Sequence, residues 1–177
     1  MMDSLNIRFS GSGGQGLILA ARILASALVS EGRNVAQSQS YEPVSRGGLS
    51  RSDLVVSDGE ADYPLSQSLD YLLILHEAAA TESSGLLDEK SVILVDADQV
   101  KSQPAAPLNV VSLPFVETAR RLGNKRVANI VALGALAQAG SLCDEAALEK
   151  SLQAMTPAKF STLNMEAFQA GRQLMAG

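Results

Sequence analysis

The chain of 177 residues contains one cysteine, one histidine and no tryptophan, and aromatic residues make up only 4% of it. The single thiol, Cys143, can form no internal disulfide and cannot by itself hold an iron–sulfur cluster. Basic residues are in deficit: 14 Lys and Arg against 19 Asp and Glu leave a net charge of −5. That balance argues against a nucleic-acid or anionic-membrane surface as the role of the whole chain. Long apolar runs are also missing. The longest, 128–140, is too short to cross a bilayer and contains Asn129 and Gln138. Asp3, Asn6 and Arg8 interrupt the N-terminus, which does not read as a signal peptide, so the expected compartment is the cytoplasm.

What is present is an aliphatic, globular composition, 46% hydrophobic and 19% charged. The length suits one domain over 1–177. With so few aromatics the core must be built from Leu, Val, Ile and Ala, as in buried parallel sheets. Strands are predicted over 5–10, 35–40, 53–57, 70–75, 92–95 and 109–113. Helices are predicted over 17–30, where Leu17, Ala21, Leu24 and Leu28 share a face, and over 114–122, 127–139, 145–154 and 163–175. Helical residues also fill 77–84, and Asp144 suits an N-cap. The helix over 127–139 is apolar nearly all round and should be buried. Strands alternating with helices predict an α/β, Rossmann-like fold. Its sheet is mostly parallel with helices on both faces, and its C-terminal segment is helical.

Between the first strand and the first helix stands Gly11-Ser12-Gly13-Gly14-Gln15-Gly16. Gly11, Gly13 and Gly16 satisfy the G-x-G-x-x-G pattern in its proper context. In a dinucleotide fold the first glycine makes the tight turn, the second admits a pyrophosphate and the third lets helix and strand pack. Gly14 exceeds that need. Such a turn points backbone N–H groups above a helix N-terminus, a place for an anion. A nicotinamide site also needs an acidic residue at the end of the second strand. Segment 35–40 has none, and Glu42 lies beyond it beside Pro43. Three uses of the turn stay open: phosphate or cofactor contact, contact with another subunit, and close packing alone.

A second unusual loop runs Ser40-Tyr41-Glu42-Pro43-Val44-Ser45-Arg46-Gly47-Gly48. Arg46 offers a planar fork for phosphate or carboxylate, and the alternative is a surface turn with a solvated arginine. Both loops should emerge at the carboxyl ends of adjacent strands, where open α/β sheets bind ligands. Arg51 adds charge nearby. Four of the 14 basic residues, Arg120, Arg121, Lys125 and Arg126, lie within seven positions. Arg120 and Arg121 also suit a solvated helix end. Asn129, heading an otherwise greasy helix, must find a partner in a loop or a neighbouring subunit. His76 is more simply structural than catalytic, and Cys143 a small apolar side chain.

The glycine turn and the following Ser-Tyr-x-Pro-x-x-Arg-Gly-Gly resemble the gamma subunit of 2-oxoacid:ferredoxin oxidoreductases. Two later segments are also similar to that family: Leu122-Gly123-Asn124-Lys125-Arg126-Val127-Ala128-Asn129-Ile130-Val131-Ala132-Leu133-Gly134-Ala135-Leu136, and Ala167-Phe168-Gln169-Ala170-Gly171. The likeness spans about 5–171, and the Ser-Tyr lead-in looks most like the 2-oxoglutarate branch. Indolepyruvate, pyruvate and branched-chain 2-oxoacid enzymes are the other branches.

The resemblance implies a subunit of an enzyme that oxidatively decarboxylates a 2-oxoacid, reduces ferredoxin and forms an acyl-coenzyme A. It places thiamine diphosphate, magnesium and iron–sulfur clusters in alpha, beta and possible delta partners, with no catalytic or metal-binding residue in this chain. It implies that gamma covers the active site and helps admit coenzyme A. The cofactor-contact set is then Gly11, Ser12, Gly13, Gly14, Gln15, Gly16, Ser45, Arg46, Gly47 and Gly48, with Asn129, Lys125 and Arg126 as partner or ligand contacts. On the glycine turn alone, the competing function is a free-standing dinucleotide-binding oxidoreductase or regulatory module.

Overall fold

The computed structural model describes residues 4–44, 47–59, 67–104 and 108–177. The order of elements is β1 (Leu5–Ser12), α1 (Leu17–Ser30), β2 (Asn34–Tyr41), β3 (Leu49–Ser57), β4 (Tyr71–Ile74), β5 (Val92–Asp96), β6 (Asn109–Leu113), α2 (Phe115–Arg121), α3 (Ala128–Gly140), α4 (Glu145–Met155) and α5 (Ser161–Ala176). The strands form one sheet in the order β2-β3-β1-β4-β5-β6. β1, β4, β5 and β6 pair in parallel, and β3 runs antiparallel to both β1 and β2.

One prediction needs correction here. β1 and β2 are not neighbours, because β3 lies between them. The reason is loop length. Segment 42–48 is too short for a crossover, so the chain turns straight back and the next strand must pair antiparallel. The carboxyl ends of β1 and β2 and the start of β3 still share one rim. β1 is longer than predicted, with Gly11 and Ser12 paired to Ser50 and Leu49 of β3. Gly11 is therefore a strand residue, and the turn itself is 13–16.

The two faces of the sheet are covered unequally. All five α-helices contribute to one core, on Ile7, Phe9, Leu54, Val56, Leu73, Leu75 and Leu94. The opposite face, Leu72, Ile74, Ile93 and Val95, lies under Leu69, Ala79, Ala80 and Val100. The helical residues predicted over 77–84 become two 3-10 turns there, Glu77–Ala79 and Ser84–Leu86. His76 caps the first, accepting a hydrogen bond from Ala78 N–H at its Nδ1, 3.1 Å away.

As its composition predicts, α3 is buried along 128–137. It lies against β4, α1, α2 and α5. At its crossing with α5 the two backbones touch. A Cβ on Gly134 would strike the Phe168 carbonyl, and one on Gly171 would strike the Val131 carbonyl. The late segments that carry the family resemblance thus include a helix crossing that only glycine permits.

The sequence reading missed a buried ion pair between β1 and β3. Arg8 donates to Asp53 through Nε (2.7 Å) and Nη2 (2.8 Å), and through Nη1 to Ser83 Oγ (3.0 Å). Arg51 pairs with Glu82 beside it. Arg51 is thereby neutralised and adds no free charge at the second loop.

Asp144 occupies the N-cap position of α4, but its side chain makes no capping bond; its N–H donates instead to Glu31 Oε1 (2.5 Å). Burial first, and then the Glu31 and Asp144 carboxylates, push the Cys143 thiol up to about 12. Cys143 should therefore react with an alkylating reagent at pH 8 roughly fiftyfold more slowly than a free thiol, after allowing for its greater intrinsic nucleophilicity. Its rate should climb with each pH unit up to about 11, whereas that of an unperturbed thiol levels off near 9. Mass-spectrometric timing of alkylation checks both. The sign for stability is the same: a raised folded-state value means stability is lost as the pH rises above that of the unfolded thiol.

Candidate functional site: the glycine turn and its basic cleft

The turn after β1 is held by its own side chains. Gln15 folds back, so that its Oε1 accepts from Ser12 N–H (2.9 Å) and its Nε2 donates to the Leu75 carbonyl at the end of β4 (3.0 Å). A Cβ at Gly11 would meet the Gln15 carboxamide in this position. Gly13 N–H donates to the Gly48 carbonyl (3.0 Å), which joins the first loop to the second. The two loops do meet at one rim. Ser45 and Arg46, the centre of the second loop, lie outside the described residues.

Gly16 adopts a left-handed backbone (φ 73°) and abuts Asn129, whose Nδ2 donates to the Gly16 carbonyl (3.0 Å). Asn129 Oδ1 accepts from Ile130 N–H (3.0 Å). The buried amide expected to need a partner therefore finds it in the loop and pins α3 to the glycine turn. Asn129→Ala should cost about 1–2 kcal/mol in denaturant unfolding. It should also speed amide exchange in the first turn of α1 relative to that of α4.

Ser12, Gly13 and Gln15 N–H groups are all engaged internally, so the turn has fewer N–H groups to offer an anion than the bare sequence suggested. What remains open is Gly13–Gly14, where an added Cβ would meet no atom within 4 Å, and the amino end of α1. That end has neither a side-chain cap nor an acidic residue in its first turn. Its positive dipole is left for something else to neutralise.

Beside it opens a cleft of about 240 Å³ whose walls include Gly14, Gln99, Arg120, Lys125 and Arg126. Two acceptors build it. Asp96, fully buried, accepts from Asp98 and Gln99 N–H (both 2.9 Å) and from Val116 N–H (2.8 Å), fastening the start of α2 to the end of β5. Asn124 Oδ1 accepts from Arg126 N–H (3.0 Å) and caps the 3-10 turn Lys125–Val127. Of the four clustered cations, three line the cleft. Arg121 does not; it pairs with Glu117 at 3.3 Å, and Arg120 in the cleft wall lies 3.8 Å from the same carboxylate. Arg120, which also suited a solvated helix end, lines the cleft, whereas Gln99 and the organising Asp96 carry no signal in the sequence. On the other side of the turn, a groove of about 610 Å³ includes Tyr41, Val44 and Gly48, with Tyr41 70% and Val44 56% exposed.

The family described as pyruvate ferredoxin/flavodoxin oxidoreductase matches residues 6–174. This chain belongs to it. Among the relatives of this oxidoreductase-family chain is the 2-oxoglutarate synthase subunit KorC of Archaeoglobus fulgidus, 42% identical over 137 residues, covering 77% of this chain and 71% of the relative. The gamma subunit of a keto/oxoacid ferredoxin oxidoreductase from Geobacter sulfurreducens superposes with a TM-score of 0.87 at 40% identity, over 98% of this chain and 97% of that one. The fold also recurs, at 23% identity and a TM-score of 0.84, in the 2-oxoglutarate:ferredoxin oxidoreductase from Magnetococcus marinus solved with 2-oxoglutarate, coenzyme A and succinyl-CoA bound. There the match covers 98% of this chain and 31% of the longer one.

Proposed function

We propose that this chain is the gamma subunit of a 2-oxoglutarate:ferredoxin oxidoreductase and forms the coenzyme A-facing wall of the assembled enzyme. The observation that carries this is the cleft holding Arg120, Lys125 and Arg126 next to the uncapped amino end of α1, in a chain of net charge −5. Local positive charge on an acidic protein suits a polyphosphate ligand rather than a general anionic surface. The open backbone at Gly13–Gly14 lets such a ligand approach closely. Ser45, Arg46, Gly47 and Gly48 are proposed as further contacts, with the ligand or with the neighbouring subunit.

The decarboxylation chemistry belongs to the partners. Cys143 is the chain's one thiol, and among the described residues no three His, Cys, Asp or Glu side chains converge on a point that could hold a metal ion. On this reading, which rests on the family resemblance, thiamine diphosphate, magnesium and iron–sulfur clusters reside in the alpha, beta and possible delta parts, with ferredoxin as acceptor and the cytoplasm as compartment. No helix among the described residues is long and apolar enough to cross a membrane.

The dinucleotide alternative loses its geometry. The place beside β1 where an acidic residue would hold a ribose is filled by the start of β3, Leu49 and Ser50. Coexpression with candidate thiamine- and cluster-binding subunits tests the proposal. Coenzyme A-dependent oxidation of 2-oxoglutarate with ferredoxin reduction should require this chain. Full activity without it, or saturable NADH binding to the isolated chain, contradicts it.

A further inference from the structure

The two edges of the sheet are finished differently. β6 is a short edge of five residues, and Gln103 Nε2 donates to its Ser112 Oγ (3.2 Å). β2 is an edge of eight residues, Asn34–Tyr41, with no charged residue and no proline, and it runs in unbroken register with β3. Short length, charges, prolines and bulges keep exposed strands from pairing with other chains, and β2 has none of these.

The pairing with β3 fixes which backbone groups of β2 face outward. Glu42 N–H donates to the Leu49 carbonyl (2.8 Å), so the even-numbered residues of the strand turn their backbone groups toward β3. On the other side of β3, Gly13 N–H bonds the Gly48 carbonyl, which sets the same alternation. Val35, Gln37, Gln39 and Tyr41 therefore point N–H and C=O away from the sheet, and among the described residues no strand pairs with that side. The flank of α1 above this edge is largely apolar. Ile18, Ala25 and Val29 share it at helical spacing with Arg22, and Ile18 lines the same groove as Tyr41. Val29 and Tyr41, at opposite ends of β2, are two of the large apolar side chains that the fold leaves exposed.

We propose that β2 pairs antiparallel with β2 of a second copy of this chain, joining the two six-stranded sheets into one. Outward residues must meet outward residues, and a twofold axis at Ser38 uses all of them: Gln37 opposes Gln39, and Val35 opposes Tyr41. About eight hydrogen bonds result, two from each pair. The side chains suit the same axis. Val35, Gln37, Gln39 and Tyr41 lie on the α1 side of the sheet, since Gln37 pairs with Leu54 of the helix-covered core. Tyr41 of each copy thus lands beside Val35 of the other, at the end of β2 where α1 finishes and Val29 is exposed. Both exposed apolar groups are covered at once. A register moved by two residues sets Tyr41 against Arg33 or Gln37 instead and forfeits that contact. The occupant is therefore a second copy, because this strand is complementary to itself about its own middle.

Sedimentation equilibrium of the full chain should show a dimer at micromolar concentration. Position 38 meets its own copy across the axis at a non-hydrogen-bonded pair, with Cα atoms about 4.5 Å apart, within disulfide range. Ser38→Cys should therefore give a disulfide-linked dimer on mild oxidation. The unmodified chain should not, because the thiol of Cys143 is held protonated. Gln39→Pro removes one outward N–H from each copy and spares the ladder to β3. It should raise the dimer dissociation constant about thirtyfold, with the circular dichroism spectrum unchanged. Tyr41→Lys, at an exposed position, should weaken the dimer in the same direction and keeps the test valid if Gln39→Pro misfolds. A dimer that neither variant weakens and that Ser38→Cys does not link lies elsewhere on the surface and overturns the pairing. A monomer at every concentration overturns it as well. Coexpression with the other oxidoreductase subunits then tells the two remaining cases apart: Gln39→Pro fails to assemble if a strand of another subunit covers the edge, and assembles normally if the edge is solvated.

Discussion

Gly171→Ala should lower the melting temperature by about 10 °C. Helix propensity alone predicts the opposite sign, since alanine is favoured over glycine in a helix interior by about 1 kcal/mol. Packing decides. A Cβ at Gly171 would drive into the Val131 carbonyl, and the reciprocal contact at Gly134 shows that neither helix has room to yield. The obstacle is main chain, which cannot rotate away as a side chain would. Forcing α3 and α5 apart also opens the core around Phe168 and Val131, both buried. A net loss of about 3 kcal/mol is the upper part of the usual range for overpacking. In a chain of this size each kcal/mol is worth about 2–4 °C. Gly85→Ala is the control, because a Cβ there would meet nothing within 4 Å. Calorimetry on both variants checks the account, and equal melting temperatures would count against the close crossing.

Replacing Lys125 and Arg126 together by alanine should raise the KM for coenzyme A about a hundredfold and leave kcat within about twofold. Each is exposed, so a phosphate contact from each is discounted to about 1.4 kcal/mol, or tenfold. On the proposed placement the effect belongs in KM, because side chains that bind a part of the ligand remote from the reacting thiol hold it equally in ground and transition states. Salt supplies a second readout. The KM of the unmodified complex should rise with ionic strength, and that of the double variant should rise less steeply. Steady-state kinetics on the complex at two salt concentrations measures both. Arg121→Ala should change neither, because Arg121 does not line the cleft.

Much of this architecture was legible in residue order. Apolar runs marked five of the six strands, β2 being largely polar, and the apolar stretch after Val127 marked a buried helix. The glycine turn and Asn129 announced themselves, one by conformational freedom and the other as a polar group with nowhere local to bond. What escaped depended on contacts distant in the chain. Gln15 bonds Leu75, Arg8 bonds Asp53 and Asp96 bonds Val116, and no local pattern joins these pairs. β3 is antiparallel because segment 42–48 is too short for a crossover, a constraint carried by loop length and not by residue type. The glycine roles shifted for a related reason. Gly11 abuts the Gln15 side chain and Gly16 abuts Asn129, which leaves Gly13 and Gly14 as the open approach.

On the proposed function, the rim around Gly14 and the cleft beside it receive coenzyme A once the enzyme is assembled. Backbone hydrogen exchange on the intact complex, with and without coenzyme A, tests it most directly. Adding coenzyme A should slow exchange at residues 14–19 and 125–127 and leave α4, on the far side of α1, unchanged. Protection confined to other subunits, with those two segments exchanging as before, would contradict it.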